Sequence, residues 1–337
     1  MSFWDGKKVA ITGANGFVGS SLVERLVGGG AEVTVLLRRG SVVGLRSIRK
    51  VADKVKIVYG DVRQIKSLDG FVSGKDVVFH LAAITQVAYA VGRPGDTFGV
   101  NAIGTLNMLE SMRKNGDGSF FVYMSTDKVY GEALGRVIDE NCSMAPKSPY
   151  DAAKIAADRL TAAYFATYGL DGAIARSTNI IGARDSNHLR IVPDFVASVL
   201  SGKELVIRGG GRHMRDYIYM SDALDGLAAI CEKRQKSNRD VFNIGTGIST
   251  STINLVRLMI RVGGKKPRCR IIPQRLTGEI CKQVISNSKM RKRLGWKPRV
   301  SLEEGIRMTL DWYYKNLDWQ EIVERKRGWY KSQGLAD

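Results

Sequence analysis

The segment from Lys8 to Gly19 constrains this chain more than any other. Lys8 to Thr12 reads KVAIT, a short apolar run. It ends in Gly13-Ala14-Asn15-Gly16-Phe17-Val18-Gly19, and a helical pattern follows over residues 17–26. Gly13 suits a tight turn, and Gly16 lets the backbone approach a pyrophosphate at the positive end of a helix. Gly19 lets helix and strand pack closely. Glycines alone would also suit a plain loop, but their place between a strand and a helix favours a nucleotide turn. Asn15, Phe17 and Val18 are expected at the cofactor with the three glycines.

Further apolar runs follow at residues 32–37, 55–59, 76–81, 120–124 and 172–175. Helical stretches separate several of them, notably 101–114 and 150–168. Unbroken apolar strands that alternate with helices indicate a parallel sheet covered on both faces. After residue 178 the pattern changes. Residues 179–216 carry more loop signals, including Gly209-Gly210-Gly211. A strand-like piece at 241–244 is placed to return to the first sheet, and the last third is basic and mainly helical, with 301–314 amphipathic. The expected fold class is α/β, with two interleaved parts. A doubly wound parallel Rossmann sheet takes residues 1–178 and a return segment of about 217–247. A smaller, mostly helical substrate domain takes residues 179–216 and 248–337.

The second strand ends in Leu37-Arg38-Arg39-Gly40, where an NAD-binding chain usually carries an acid for the ribose hydroxyls. Two guanidinium groups stand there instead, and arginine binds phosphate in a bidentate, charge-assisted way. NADP is therefore favoured as cofactor, with NAD possible. The alternative is that Arg38 and Arg39 belong to a generally basic surface. Asp61, followed by Val62, is placed to accept a bond from the adenine amino group, or to cap a helix.

Lysine and arginine number 52 against 33 acids, a net charge of +19, which favours an anionic or phosphorylated partner. The four cysteines form no C-x-x-C pair, and the three histidines lack ligand spacing. Neither a disulfide framework nor a metal site is expected. The start resembles no signal peptide, and no uncharged apolar run reaches the roughly 18 residues of a membrane span, so a cytoplasmic protein is expected.

Tyr150 and Lys154 are four apart after Pro149, so both side chains lie on one helical face. A phenol titrates near 10, too high for a base at neutral pH, and a nearby ammonium lowers it. Alone the Y-x-x-x-K pattern is weak. Following the nucleotide turn, it suggests a tyrosine that removes a proton from a sugar hydroxyl while hydride leaves the same carbon.

With the glycine turn, His80-Leu81-Ala82-Ala83, Asn101, Ser125-Thr126-Asp127-Lys128-Val129-Tyr130-Gly131 and Tyr150…Lys154, the chain resembles an extended short-chain dehydrogenase/reductase. Arg176-Ser177-Thr178-Asn179, Arg215-Asp216-Tyr217-Ile218 and Leu294-Gly295-Trp296-Lys297-Pro298 resemble the sugar-nucleotide branch. The resemblance places Leu81, Ala82, Ala83, Asn101 and Ser177 at the cofactor. Thr126-Asp127-Lys128 resembles the 4,6-dehydratases, whereas 4-epimerases carry a serine run with small residues. The resemblance implies that Thr126 shares the sugar's 4-hydroxyl with Tyr150. It implies that Asp127 protonates the departing 6-hydroxyl and Lys128 takes the proton from the 5-carbon. The Asp-Lys form and the opening Phe3-Trp4 resemble CDP-glucose dehydratases, while Arg38-Arg39 resembles GDP-mannose dehydratases. Ala90 departs from the family's small hydroxyl residue.

Asn179, Arg215 and Arg275 match family positions for the nucleotide diphosphate. Glu279, just after Arg275, is placed to accept ribose hydroxyls, and Arg190 and Arg208 are looser candidates. His80 ends an apolar strand and reads as a satisfied core histidine. The expected partner is a nucleotide-diphosphate sugar, and a homodimer follows from the resemblance. The expected reaction is 4,6-dehydration through transient hydride transfer. The alternatives are a 4-epimerase of the same branch and a non-catalytic protein on this fold that binds NADP or RNA.

Overall fold

The computed structural model describes residues 2–41, 45–132, 137–274 and 278–332. The first half of the chain contributes β1 (Lys8–Thr12), β2 (Glu32–Leu37), β3 (Lys56–Tyr59), β4 (Val77–His80), β5 (Phe120–Thr126) and β6 (Gly172–Ser177). The second half contributes β7 (Asn179–Ile181), β8 (Leu205–Ile207), β9 (Met214–Tyr219), β10 (Asp240–Ile244), β11 (Ser249–Ser251) and β12 (Cys269–Ile271). Seven of these form one parallel sheet in the order β10-β6-β5-β4-β1-β2-β3. This is the doubly wound Rossmann-type α/β fold, with helices on both faces. Strands such as β4 and β6 are buried along their whole length, so they read as unbroken apolar runs. The strand order reverses between β1 and β4, which opens a crevice at their carboxyl ends.

Two apolar layers cover the sheet. One packs Leu22 and Leu26 with Leu224, Leu227, Phe242 and Ile244. The other packs Leu109 and Met112 with Phe121, Phe165 and Ile174. The helix Pro149–Tyr168 starts where its sequence dictates. Ser148 Oγ accepts the Asp151 amide at 3.2 Å, Pro149 occupies the first turn, and Gly169 closes the helix in the left-handed region. The stretch expected as a helix from Asn101 begins with a π turn, Gly99–Ile103, before the α-helix Gly104–Asn115.

The second part has a separate core around Phe195, Leu255, Met259, Leu310 and Tyr313. It is mainly helical, as its sequence suggests, and also holds short strands. β7, β9 and β11 form a three-stranded sheet, and β8 pairs with β12. Four of these five strands are three residues long, too short for an alternating pattern to register. β10 pairs with β6 in parallel, and Met290, Leu294 and Trp296 pack on the same core as β10.

Candidate functional site

Backbone geometry builds the turn after β1. Gly13 has φ +69°, and a Cβ there would stand 2.7 Å from the backbone carbon of Leu81. A Cβ on Gly19 would stand 2.1 Å from the Gly13 carbonyl oxygen. The helix Phe17–Gly28 begins after Gly16 with no side chain capping its amides. Those first-turn amides are left at the positive end of the helix, where an anion could accept from them. The turn opens into a cavity of about 460 Å³ at the sheet crevice. Asn15, Gly16, Phe17, Val18 and Gly19 line it, as do Val62, Leu81, Ala82, Ala83, Tyr150, Lys154 and Ser177. A dinucleotide fits this cradle: free helix amides meet a backbone with no room for a Cβ.

At one edge of the cavity, Arg38 lines the wall. Arg39 instead lies over the Tyr59 ring, 4.6 Å from its centroid, and is exposed. Asp61 lines the wall but is held by Arg63, at 3.1 and 2.7 Å. Burial pushes the Asp61 carboxyl up, yet the hydrogen bonds to Arg63 outweigh it and hold the group below the ordinary carboxylate value. Arg63 also lines this cavity and carries no motif that the sequence reading used. Asn101 does not line it. Its amide instead braces the loop after β4, accepting from the Ile84 amide at 2.8 Å and donating to the Ile84 carbonyl at 2.9 Å. His80 is a satisfied core histidine, held between Thr12 and Thr105, and burial pushes it down to about 3.

A second cavity of about 280 Å³ shares Thr126, Tyr150, Thr178 and Arg190 with the first. Asp127, Lys128, Asn179, Arg208, Arg215 and Glu279 line it. Arg275 lies outside the described residues. Arg190 pairs with Asp185 at 3.1 Å, and His213 Nδ1 stands 3.2 Å from Glu279. Arg215 is buried and donates to the carbonyls of Met214, Ile280 and Cys281. Its fixed charge therefore faces the cavity wall without a carboxylate partner among the described salt bridges.

Asp127 and Lys128 are pushed in opposite directions. Burial raises the Asp127 carboxyl, against smaller pulls from Lys128 and Arg215. Burial lowers the Lys128 ammonium, helped by Arg215 and opposed by Asp127, Asp151 and Glu279. Both environments favour the uncharged form. Thr178 points the same way. Its hydroxyl lies 2.7 Å from the Asp216 carbonyl oxygen and 3.1 Å from Asp127 Oδ2, and it has one proton. Given to the carbonyl, which can only accept, that proton leaves Thr178 to accept from a protonated Asp127. Gln283, from far along the chain, donates to the Asp127 carbonyl at 2.8 Å and holds its backbone. The sequence carried no signal for Gln283.

Burial raises the Tyr150 phenol, and the largest downward pull is that of Arg190, where the helical spacing suggested Lys154. Lys154 donates to the Met124 carbonyl at 2.6 Å and lies over the Tyr123 ring. Burial lowers it to about 7. Behind both cavities, Arg176 and Asp158 form a buried bidentate pair at 2.9 and 2.7 Å. Asp158 also accepts from Ser125, and Arg176 donates to Tyr130. This network holds the ends of β5 and β6 in register, and so positions Thr126 and Thr178.

The profile of the family described as "GDP-mannose 4,6 dehydratase" matches residues 10–309. The chain is 31% identical over 327 residues to a dTDP-glucose 4,6-dehydratase of Streptomyces niveus, covering 94% of this chain and 96% of the relative. It is 32% identical over 312 residues to a UDP-glucose 4-epimerase of Mycolicibacterium smegmatis, covering 91% and 98%. Among solved structures, a dTDP-glucose 4,6-dehydratase from Streptomyces venezuelae with NAD and TYD bound superposes with TM-score 0.87 at 28% identity, covering 94% and 99%. Among the described residues, no helix is long and apolar enough to cross a membrane, and no cluster of His, Cys, Asp and Glu is arranged to hold a metal ion.

Proposed function

The chain belongs to the nucleotide-sugar 4,6-dehydratase and epimerase family of extended short-chain dehydrogenases/reductases, and from that premise we propose that it removes water across C5 and C6 of a nucleoside-diphosphate hexose. The product is a 4-keto-6-deoxy sugar nucleotide. The observation that carries this reading is the adjoining Asp127 and Lys128, driven towards a neutral acid and a neutral amine beside Tyr150.

A bound oxidised nicotinamide dinucleotide supplies the hydride acceptor and, later, the donor. The protein's own groups move the protons. Tyr150, with Thr126 beside it, takes the proton of the sugar's 4-hydroxyl. Burial works against that phenolate and Arg190 works for it. The resulting 4-keto group acidifies C5, and the Lys128 amine takes the C5 proton. Asp127 gives its proton to the 6-hydroxyl, which leaves as water. As hydride returns to C6, the Lys128 ammonium gives its proton back to C5, and the proton held by Tyr150 replaces the one Asp127 lost, so the protons balance. Asn179, Arg190, Arg208, Arg215 and Glu279 line the cavity that the sugar nucleotide would occupy, and Arg275 belongs to the same proposal.

We extend the proposal to NADP, supported by Arg38 on the cavity wall and the missing acid after β2; NAD, held by the similar Streptomyces venezuelae enzyme, is the alternative. A homodimer and a cytoplasmic location complete it. The likeness to a 4-epimerase supports a second reading, in which the same tyrosine takes the 4-hydroxyl proton as C4 loses hydride to the bound nicotinamide, and the 6-hydroxyl stays.

Incubation with a panel of UDP-, CDP-, dTDP- and GDP-hexoses separates the two. A dehydratase product absorbs in alkali through its 4-keto group, and an epimerase product keeps O6. Lys128→Ala is expected to slow dehydration by about 10²–10⁴-fold, with reduced nicotinamide accumulating in its absorbance. Full turnover by that variant would refute the role given to Lys128.

A further inference from the structure

The last helix, Trp319–Ser332, carries a lysine where its apolar stripe calls for another core residue. Trp319, Ile322 and Val323 are all at most 5% exposed and pack in the core of the second part. They sit at i, i+3 and i+4, and Lys326 at i+7 continues the same inward face. There the helix leaves the core and reaches the larger cavity, whose wall Lys326 joins with Asp185 and Arg190. From these observations, and resting on the dinucleotide reading above, we infer that Lys326 is a cofactor-binding residue that completes the pyrophosphate site begun by the glycine turn.

Three observations place it at the pyrophosphate. First, Arg190 lies 5.8 Å from the centroid of the Phe17 ring, and Phe17 opens the helix whose uncapped amides follow Gly16. Arg38 and Arg63 mark another edge of the cavity, with Asp61. Second, the carboxylate whose charge acts on it, Asp185, is already engaged. Asp185 pairs with Arg190 at 3.1 Å and accepts the Asn187 amide at 3.0 Å. Burial lowers the Lys326 ammonium, with Asp185 pulling up and Arg190 pushing down. A sheltered cation with no carboxylate of its own among the described residues is costly unless an anion arrives. Third, the helix is held from both sides. Arg46, in the nucleotide-binding part, bonds the Asp318 and Glu321 carboxylates at 3.2 and 3.5 Å. Lys326 is therefore presented by an anchored element rather than a loose tail.

Calorimetric titration of the full chain with NAD, NADP, ADP-ribose and adenosine tests this. Lys326→Met keeps the apolar stem and removes the charge, and Lys326→Arg keeps the charge. Lys326→Met is expected to bind NAD, NADP and ADP-ribose about ten- to hundredfold more weakly, the range for a lost charge-assisted hydrogen bond. Adenosine, which has no phosphate, should change less than about twofold, and Lys326→Arg should retain most of the affinity. Unchanged NAD binding by Lys326→Met would overturn the inference. So would a loss confined to NADP, which would move the lysine to a 2′-phosphate, or an equal loss for adenosine, which would mean a general disturbance. If the unaltered chain bound no dinucleotide at all, the proposed function itself would fall, and the inference with it.

Discussion

The two cavities share Tyr150 but are made by opposite means. The turn after β1 is a run of contiguous residues whose function is steric. Its glycines leave room, and its helix amides present themselves without help from distant side chains. The wall around Asp127 is assembled from the end of β5, the loop after β6, β9 and residues 278–283. What matters there is protonation, and burial and remote charges set it. A site built from backbone depends on what is missing from a few neighbouring residues. A site built from side chains depends on what other segments bring to it.

That contrast predicts where each site breaks. Gly19→Ala should be the more damaging change to the first cavity, because its Cβ would overlap the Gly13 carbonyl. Overpacking of about 1–3 kcal/mol at the turn itself should weaken dinucleotide binding by up to about a hundredfold. Calorimetry with NAD and NADP measures this, and near-normal affinity would show that the turn tolerates more than its geometry suggests. The second cavity should respond to charge instead. Arg215 lowers both Asp127 and Lys128. Lys128 must be neutral to act, so kcat rises as pH passes its pKa. Asp127 must be protonated, so kcat falls as pH passes its own. Arg215→Gln raises both values and should move the whole pH profile of kcat upward, while Arg215→Lys should leave it in place. A profile that stays or moves down in Arg215→Gln would show that Arg215 does not govern this pair. The smallest effect separates two adjacent residues. Arg38→Ala should weaken NADP about tenfold and spare NAD, whereas Arg39→Ala, whose guanidinium lies on Tyr59, should change either by less than about twofold. Equal losses from the two variants would return both arginines to the phosphate.

The same contrast explains what was legible in the sequence. KVAIT and EVTVLL are complete strands of a buried parallel sheet, and β1 and β2 end where those runs end. Pro149 announced the Tyr150 helix in the sequence, and the structure adds Ser148 as its cap and Gly169 as its end. Tyr150 and Lys154 do share a face, but spacing cannot show which partner a side chain selects, and the Lys154 ammonium is engaged with Met124. Arg38 and Arg39 are adjacent in sequence, so only the opposite directions of consecutive side chains separates them. Asn101 matched a motif, and the structure uses it to brace Ile84. Gln283 and Lys326 lay beyond reach, because each meets its cavity only after distant segments have packed.

The path of the chain between its two parts has a mechanical consequence. It leaves the large sheet after β6 and comes back with the helix Met220–Glu232 and β10. It leaves again with β11, returns to the first core with Met290 and Leu294, and departs for the last time towards Leu310. Hinged enzymes swing about one or two linkers. This joint is stitched at several points, so the halves resist gaping, and a chimera that exchanges one half for that of another enzyme would have to cut every stitch.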